Sequence, residues 1–210
     1  MEENANSRKI IFGNIRGIKP LRNTTKINFI EDYSNVCNAD IICLTETHLK
    51  SEIGDSEINI NDYSAHRCDR ERTKGGGTII YTKNSVKASK LLEWSNNQCE
   101  LVVIQSRKLN TLILCLYRPP NSGSKEQFEE CIDIMQLTLN ENSNFKNVIL
   151  CGDMNFPMIE WPSGYMKNRG KSVENEQIQA SMFLDFMETN DLFNIVESNQ
   201  AAEYIGLIYS

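Results

Sequence analysis

The sequence is poor in histidine, has no paired cysteines and contains no long apolar run. Two histidines, His48 and His66, are too few to suggest a histidine-based zinc site. The seven cysteines are odd in number and include no Cys-x-x-Cys pair, which argues against a disulfide framework and a zinc knuckle. No stretch approaches the roughly 20 apolar residues of a membrane helix. The polar start, MEENANSRK, has no apolar core and does not read as a signal peptide. Repeats and low-complexity tracts are missing too. These absences predict a soluble, intracellular protein with no membrane partner. The net charge of −6 speaks against a general nucleic-acid binder, whose affinity comes from neutralising phosphates. It leaves room for a local basic face, and RCDRERTK (Arg67 to Lys74), with four basic and two acidic residues, is the one candidate. A solvated loop is the ordinary alternative there.

What is present is a globular composition: 210 residues, 40% hydrophobic and 24% charged, enough for one domain. Residues 1–8 read as a polar tail and 9–210 as the domain. Apolar runs alternate with turn signals. KIIFGNI (Lys9 to Ile15), ADIICLTE (Ala39 to Glu46), GGTIIYTK (Gly76 to Lys83) and VILCGD (Val148 to Asp153) read as buried strands. SVKASKLL is a weaker strand candidate. CELVVIQS and TLILCLYR form a hairpin across RKLN, and AEYIGLIYS is a last strand. Cys43, Cys115 and Cys151 lie inside such runs and read as small core residues. Three segments have helical spacing. TTKINFIEDYSNV places Ile27, Ile30 and Tyr33 on one face. SKEQFEECIDIMQLTL has a capping box at Ser124 and Gln127, with Phe128, Cys131, Ile132, Met135 and Leu139 on one face. NEQIQASMFLDFMETN ends at Asn190 as a C-cap. Strands both single and in hairpins, mixed with helices, predict an α/β layered domain.

Four of the strands end in polar groups: Asn14, Glu46, Tyr117-Arg118, and Asp153 with Asn155. Each alone has an ordinary reading as a turn residue, a cap or a solvated loop. Together they suit metal-assisted phosphodiester cleavage. Magnesium takes oxygen ligands and often only one or two carboxylates, which makes Glu46 a candidate ligand with Asn14 beside it. Asp153 would orient or deprotonate water. Asn155, facing the same way if the backbone stays extended, and Tyr117 would bind phosphate oxygens. Gly152 would leave room for close approach.

In order, the chain reads GNIRGI, CLTETHL, KGGGTIIY, LYRPPN and CGDMNFP, with Trp161-Pro162 shortly after. It resembles the endonuclease/exonuclease/phosphatase superfamily with the deoxyribonuclease I-like fold. Within it, the nearest likeness is to the apurinic-type endonuclease domain of non-LTR (LINE-type) retrotransposons. The resemblance implies a four-layer sandwich of two mixed β-sheets flanked by helices, and DNA nicking with a divalent metal, Mg2+ or Mn2+. It matches Asn14 and Glu46 to the metal site, Tyr117 to the catalytic tyrosine, Asp153 to the water-activating aspartate and Asn155 to its phosphate-binding partner. Arg118, Arg67, Arg70, Arg72 and Lys74 become candidate DNA contacts. A longer polyprotein carrying a reverse transcriptase is implied, acting in the nucleus on chromosomal DNA or otherwise in the cytoplasm.

The pattern departs near YIGLIYS, where the family carries an aspartate at the position of Gly206 and a threonine near Gln200 and Ala201. The family's later Ser-Asp-His triplet is not found, so the fold is expected to lack its last strands. Removing one such group typically costs about 10² to 10⁴ in rate. The expected function is therefore an impaired magnesium-dependent DNA endonuclease. A catalytically inactive metal- or DNA-binding remnant is the alternative, and a small-molecule phosphatase of the superfamily is a third reading.

Overall fold

Period-two alternation in the apolar runs decides which way each strand faces, and so where the layers form. A computed structural model of the protein describes residues 8–19, 25–96, 98–120, 123–160, 165–166, 174–194 and 204–209. Its strands are β1 (Ile10–Asn14), β2 (Ile41–Thr45), β3 (Tyr63–Cys68), β4 (Thr78–Lys83), β5 (Ser89–Ser95), β6 (Glu100–Ser106), β7 (Thr111–Tyr117), β8 (Asn147–Asp153), β9 (Ile159–Glu160), β10 (Tyr165–Met166), β11 (Phe193–Asn194) and β12 (Tyr204–Tyr209). Its α-helices are α1 (Ile27–Cys37), α2 (Lys125–Glu141) and α3 (Glu174–Thr189). One sheet runs β1-β2-β4-β3 and a second β11-β12-β8-β7-β6-β5, with β9 and β10 paired apart. Each large sheet is mixed, because β1 lies parallel to β2 and β7 parallel to β8 among otherwise antiparallel neighbours.

Ile42 and Leu44 of β2 pack with Ile27 and Ile30 of α1, while Ile41 and Cys43 turn to the other sheet. Leu112, Leu114 and Leu116 of β7 pack with Phe128 and Met135 of α2 and Phe183 of α3, while Ile113 and Cys115 turn inward to meet them. Helix, sheet, sheet and helices thus make the four-layer α/β sandwich expected from the motifs. Cys43, Cys115 and Cys151 are, as expected, small residues of the inter-sheet layer, together with Cys68. Ser124 and Gln127 form the expected capping box on α2, satisfying two N–H groups that a helix start leaves orphaned. Among the described residues, no helix is long and apolar enough to cross a membrane.

Two expectations are corrected. Tyr33 is exposed, and Ser34 takes the buried place on α1. Arg67 and Cys68, read as part of a loop, end β3, an edge strand that among the described residues pairs only with β4. The Trp161-Pro162 pair, Asn121, Gln200, Ala201 and residues 1–7 lie outside the described residues.

Gly152 holds β7 and β8 in close register. It pairs with Leu116 at a φ of 142°, and a Cβ there would fall 1.8 Å from the Leu116 carbonyl oxygen. The room that glycine leaves is filled by the neighbouring backbone, not held open for a substrate. Gly152→Ala is expected to destabilise the fold by about 3 kcal/mol or more, since backbone cannot yield as a side chain can. Denaturant unfolding of the variant beside the parent checks this, and equal midpoints would refute it.

Candidate functional site

The alternation that builds the core also delivers polar side chains to the sandwich rim. Residues 149, 151 and 153 of β8 share the inter-sheet face, as do 113, 115 and 117 of β7 and 41, 43 and 45 of β2. Asp153 and Tyr117 therefore stand at the mouth of the layer, directly above Cys151 and Cys115. They are paired across the parallel strands. Asn14, last in β1, is paired with Thr45, and Glu46 follows immediately.

Two hydrogen bonds span the sheets at this mouth. Asn14 Nδ2 donates to Asp153 Oδ2 at 2.9 Å, and the Tyr117 hydroxyl donates to Glu46 Oε1 at 3.2 Å. Four of the residues singled out from the sequence thus form two bonded pairs, set side by side by the Tyr117–Asp153 strand pairing. Asn155 joins them from the side, its amide donating to the Arg118 carbonyl oxygen at 2.8 Å. Its φ of 49° is left-handed, so the backbone is not extended beyond Asp153. The two residues meet through a turn and not through strand periodicity.

Burial raises the Asp153 carboxyl above the ordinary aspartate range, with the Glu46 charge adding to the shift; hydrogen bonds from Asn14 and Asn155 pull it back. Burial also raises the Tyr117 hydroxyl, helped by the Glu46 charge and opposed by Arg70. The tyrosine is a protonated donor at neutral pH, and the aspartate a more basic carboxylate than one in water. Among the described residues, no group of three or more His, Cys, Asp or Glu is gathered to hold a metal. Apart from the His48 ring beside Glu46, the donors at the rim are oxygens, one Glu46 carboxylate and the Asn14 amide with Asp153 beside it. That set suits a hard cation that keeps much of its water, such as magnesium.

The expected DNA contacts divide into two groups. Arg118 is fully buried and cannot touch a DNA strand. Arg67 is tied to Asp69, to Asp55 and to the Ile53 and Lys50 carbonyls, so its fork is occupied within the fold. Arg70 donates to Glu100 at 2.6 and 3.0 Å and lies 5.5 Å from the centre of the Tyr117 ring. Arg72 and Lys74 are exposed, and Arg72 borders an open polar cleft of about 390 Å³ with Thr73, Asn96 and Gln127.

Sequence reasoning missed Glu100 and His48. Glu100 is fully buried and receives both Arg70 and the Gly77 N–H. The KGGG run was the available signal: a Cβ on Gly76 would lie 2.5 Å from Arg70 Nε and 2.8 Å from Glu100 Oε2. His48 Nε2 stands 3.6 Å from Glu46 Oε2.

Residues 12–199 match the family model for Endonuclease/Exonuclease/phosphatase. Comparison with curated protein sequences gives no match. Solved structures share the architecture. The AP endonuclease LMAP from Leishmania major has a TM-score of 0.62 at 14% identity, covering 97% of this chain and 79% of that one. The endonuclease domain of TRAS1, a telomere-specific non-LTR retrotransposon, has a TM-score of 0.57 at 10% identity, covering 96% and 84%. The 3′ phosphatase NExo from Neisseria, bound to a product DNA hairpin, has a TM-score of 0.61 at 9% identity, covering 97% and 87%. At such identities the likeness is one of fold alone, and it is the family model that bears out the superfamily drawn from the five motifs.

The Arg70–Glu100 pair has a definite pH signature. Burial raises the Glu100 carboxyl, and Arg70 opposes that shift. Arg70→Met leaves the carboxylate buried without its cation, a loss of roughly 3–5 kcal/mol at neutral pH. A raised folded-state pKa makes the charged form the destabilising one. The deficit is therefore full above the variant's folded Glu100 pKa and shrinks as pH falls through it toward the ordinary carboxylate range. Unfolding free energies measured across that range check the sign, and a deficit that grows on acidification would contradict it.

Proposed function

The chain belongs to the endonuclease/exonuclease/phosphatase family, and from that premise we propose that it hydrolyses phosphodiester bonds of DNA with a divalent metal, in the manner of a retrotransposon endonuclease. The observation that carries this reading is the cluster of Asn14, Asp153, Tyr117 and Glu46 at the rim, held in two pairs by inter-sheet hydrogen bonds. Its native setting would be a polyprotein with a reverse transcriptase, acting on chromosomal DNA in the nucleus.

In this reading Glu46 and Asn14 hold the metal, Mg2+ or Mn2+. When bound, the metal supplies positive charge against the scissile phosphate and its leaving oxygen. Asp153 orients the attacking water and takes its proton, a role its raised basicity suits. Tyr117 turns its hydroxyl from Glu46 to a phosphate oxygen, and Asn155 offers its amide to another. Arg72 and Lys74, exposed on the loop before β4, contact the DNA backbone. Turnover is low, because Gly206 brings no carboxylate to the β12 position opposite Cys151.

The test is nicking of supercoiled plasmid by the purified chain with magnesium, beside a metal-free control, Asp153→Ala and Tyr117→Phe. Nicking is expected to need metal and to fall about 10²-fold or more in Asp153→Ala. Folded protein that does not nick would leave the binding-only reading. That reading has its own check in magnesium titration, which Glu46→Gln should abolish. The double substitution Arg72→Ala/Lys74→Ala is expected to raise KM and to lower the slope of log KM against log salt by about 2, one per lost phosphate contact. An unchanged slope would remove the loop from the DNA path.

A further inference from the structure

Arg118 is fully buried; its Nε and Nη1 are hydrogen-bonded, while Nη2 finds no hydrogen-bond partner among the described residues. Nη1 donates to the carbonyl oxygens of Met154 at 3.2 Å and Asn155 at 3.1 Å. Nε donates to Gln179 Oε1 at 2.9 Å. Gln179, on α3, is itself fixed by Gln98 at 2.9 Å and by its own bond to the Ser124 carbonyl at 3.3 Å. The guanidinium lies 4.3 Å from the Phe156 ring centre and 5.8 Å from that of Phe128. The Arg118 backbone closes the same loop: its N–H donates to the Asp153 carbonyl at 2.9 Å, and its carbonyl receives the Asn155 amide. Among the described residues, no carboxylate forms an ion pair with Arg118.

A buried guanidinium of this kind is expensive, and burial lowers its proton affinity accordingly. An aliphatic side chain would fill the space between two phenyl rings without that cost. What it could not do is meet the Met154 and Asn155 carbonyls. Those groups belong to the turn after β8, and Asn155 holds a left-handed φ there. Without a donor fork beneath it, the turn would face the apolar layer of Phe128, Phe156 and Phe183 with unpaired carbonyls.

We infer that Arg118 is a positioning residue: anchored on Gln179, its guanidinium sets the Asp153–Asn155 turn from below and so aims the Asp153 carboxylate and the Asn155 amide. Its use in turnover rests on the hydrolytic function proposed above. Lysine is no substitute, because a single ammonium lacks the planar fork that reaches two carbonyls and an amide together. A displacement of about 1 Å at reacting groups costs on the order of 10² in rate.

The experiment compares the parent with Arg118→Lys and with Gln179→Leu, which removes the Nε anchor without touching the turn. Two quantities are read: hydrogen–deuterium exchange of the amides at 153–156, and kcat, KM and the salt dependence of KM in plasmid nicking. For Arg118→Lys, exchange accelerates at 153–156 alone while β7 and β8 stay protected. kcat falls about 10-fold or more, with KM and its salt slope within about twofold of the parent. Gln179→Leu gives the same pattern in weaker form, and stands as the test if Arg118→Lys does not fold. A raised KM with a shallower salt slope would overturn the inference in favour of a phosphate contact. Local loosening with unchanged kcat, or protection lost evenly over the chain, would reduce Arg118 to general support and also overturn it. If the parent itself does not nick, the proposed function fails separately. Exchange then decides alone: loosening confined to 153–156 upholds the positioning role, and unchanged exchange removes it.

Discussion

Everything proposed for this molecule depends on two hydrogen bonds that join the sheets at their rim. Deeper in the sandwich the sheets meet through apolar contact among residues such as Ile41, Ile80, Ile104 and Ile113, which fixes their separation but not their relative register. Asn14 to Asp153 and Tyr117 to Glu46 are directional. They set the end of β1 against the end of β8 and the end of β7 against the residue after β2. Half-buried polar groups that lacked these partners would each carry a desolvation penalty. The same bonds that lock the sandwich therefore assemble an acid, an amide, a phenol and a second acid within one mouth.

Charge within the fold follows a related logic. The chain is acidic overall, and three of the five basic residues expected from the sequence to contact DNA serve internal purposes. Arg67 ties β3 to the preceding loops, Arg70 neutralises Glu100 beneath the glycine run, and Arg118 holds the turn after β8. What remains for an external anion is the exposed loop around Arg72 and Lys74. The raised Asp153 carboxyl shows the cost on the other side. A carboxylate half removed from water destabilises the folded state and is, for the same reason, a better proton acceptor.

How much of this is legible in the sequence depends on whether the deciding interaction is local. Strands with continuous apolar runs, such as IICL and LILCLY, announce themselves because burial on both faces demands that composition. The capping box of α2 is legible because its two partners are three residues apart. β3 is not, because YSAHRC is an edge strand with one pairing neighbour and no apolar run. β9, β10 and β11, two residues each, have no pattern to read. The rim residues were found because strand ends and motif order mark them. The fate of the arginines was hidden because it turns on partners 30 and 61 residues away, Glu100 for Arg70 and Gln179 for Arg118. Basic residues in one short stretch look alike in sequence; whether each is neutralised inside or offered outside is settled only by the fold.

The backbone around the mouth makes the same case from a different observation. Arg16, Glu46, His48 and Asn155 all hold left-handed φ values between 47° and 54°, each just past the end of a strand that reaches the rim. Left-handed geometry costs a residue with a side chain roughly 1–2 kcal/mol, and glycine or asparagine would relieve most of it. At position 46 glycine would also delete the carboxylate. The strained turns are held from outside: Gly17 N–H bonds to the Glu46 carbonyl at 2.7 Å, His48 N–H to the Gly76 carbonyl at 2.9 Å, and Arg16 N–H to Asn14 Oδ1 at 3.1 Å. Left-handed residues occur elsewhere in the fold as well, but strain at Arg16, Glu46 and His48, held by surrounding bonds beside the converging strand ends, is compatible with a working site. The turn at Asn155 carries less of that strain, since asparagine tolerates the geometry, but the group beneath it is a buried cation whose own burial is unfavourable. A fold that needed only to close its sandwich could have ended β8 with a glycine turn over an aliphatic side chain; this one instead spends a buried arginine to hold an asparagine beside an aspartate.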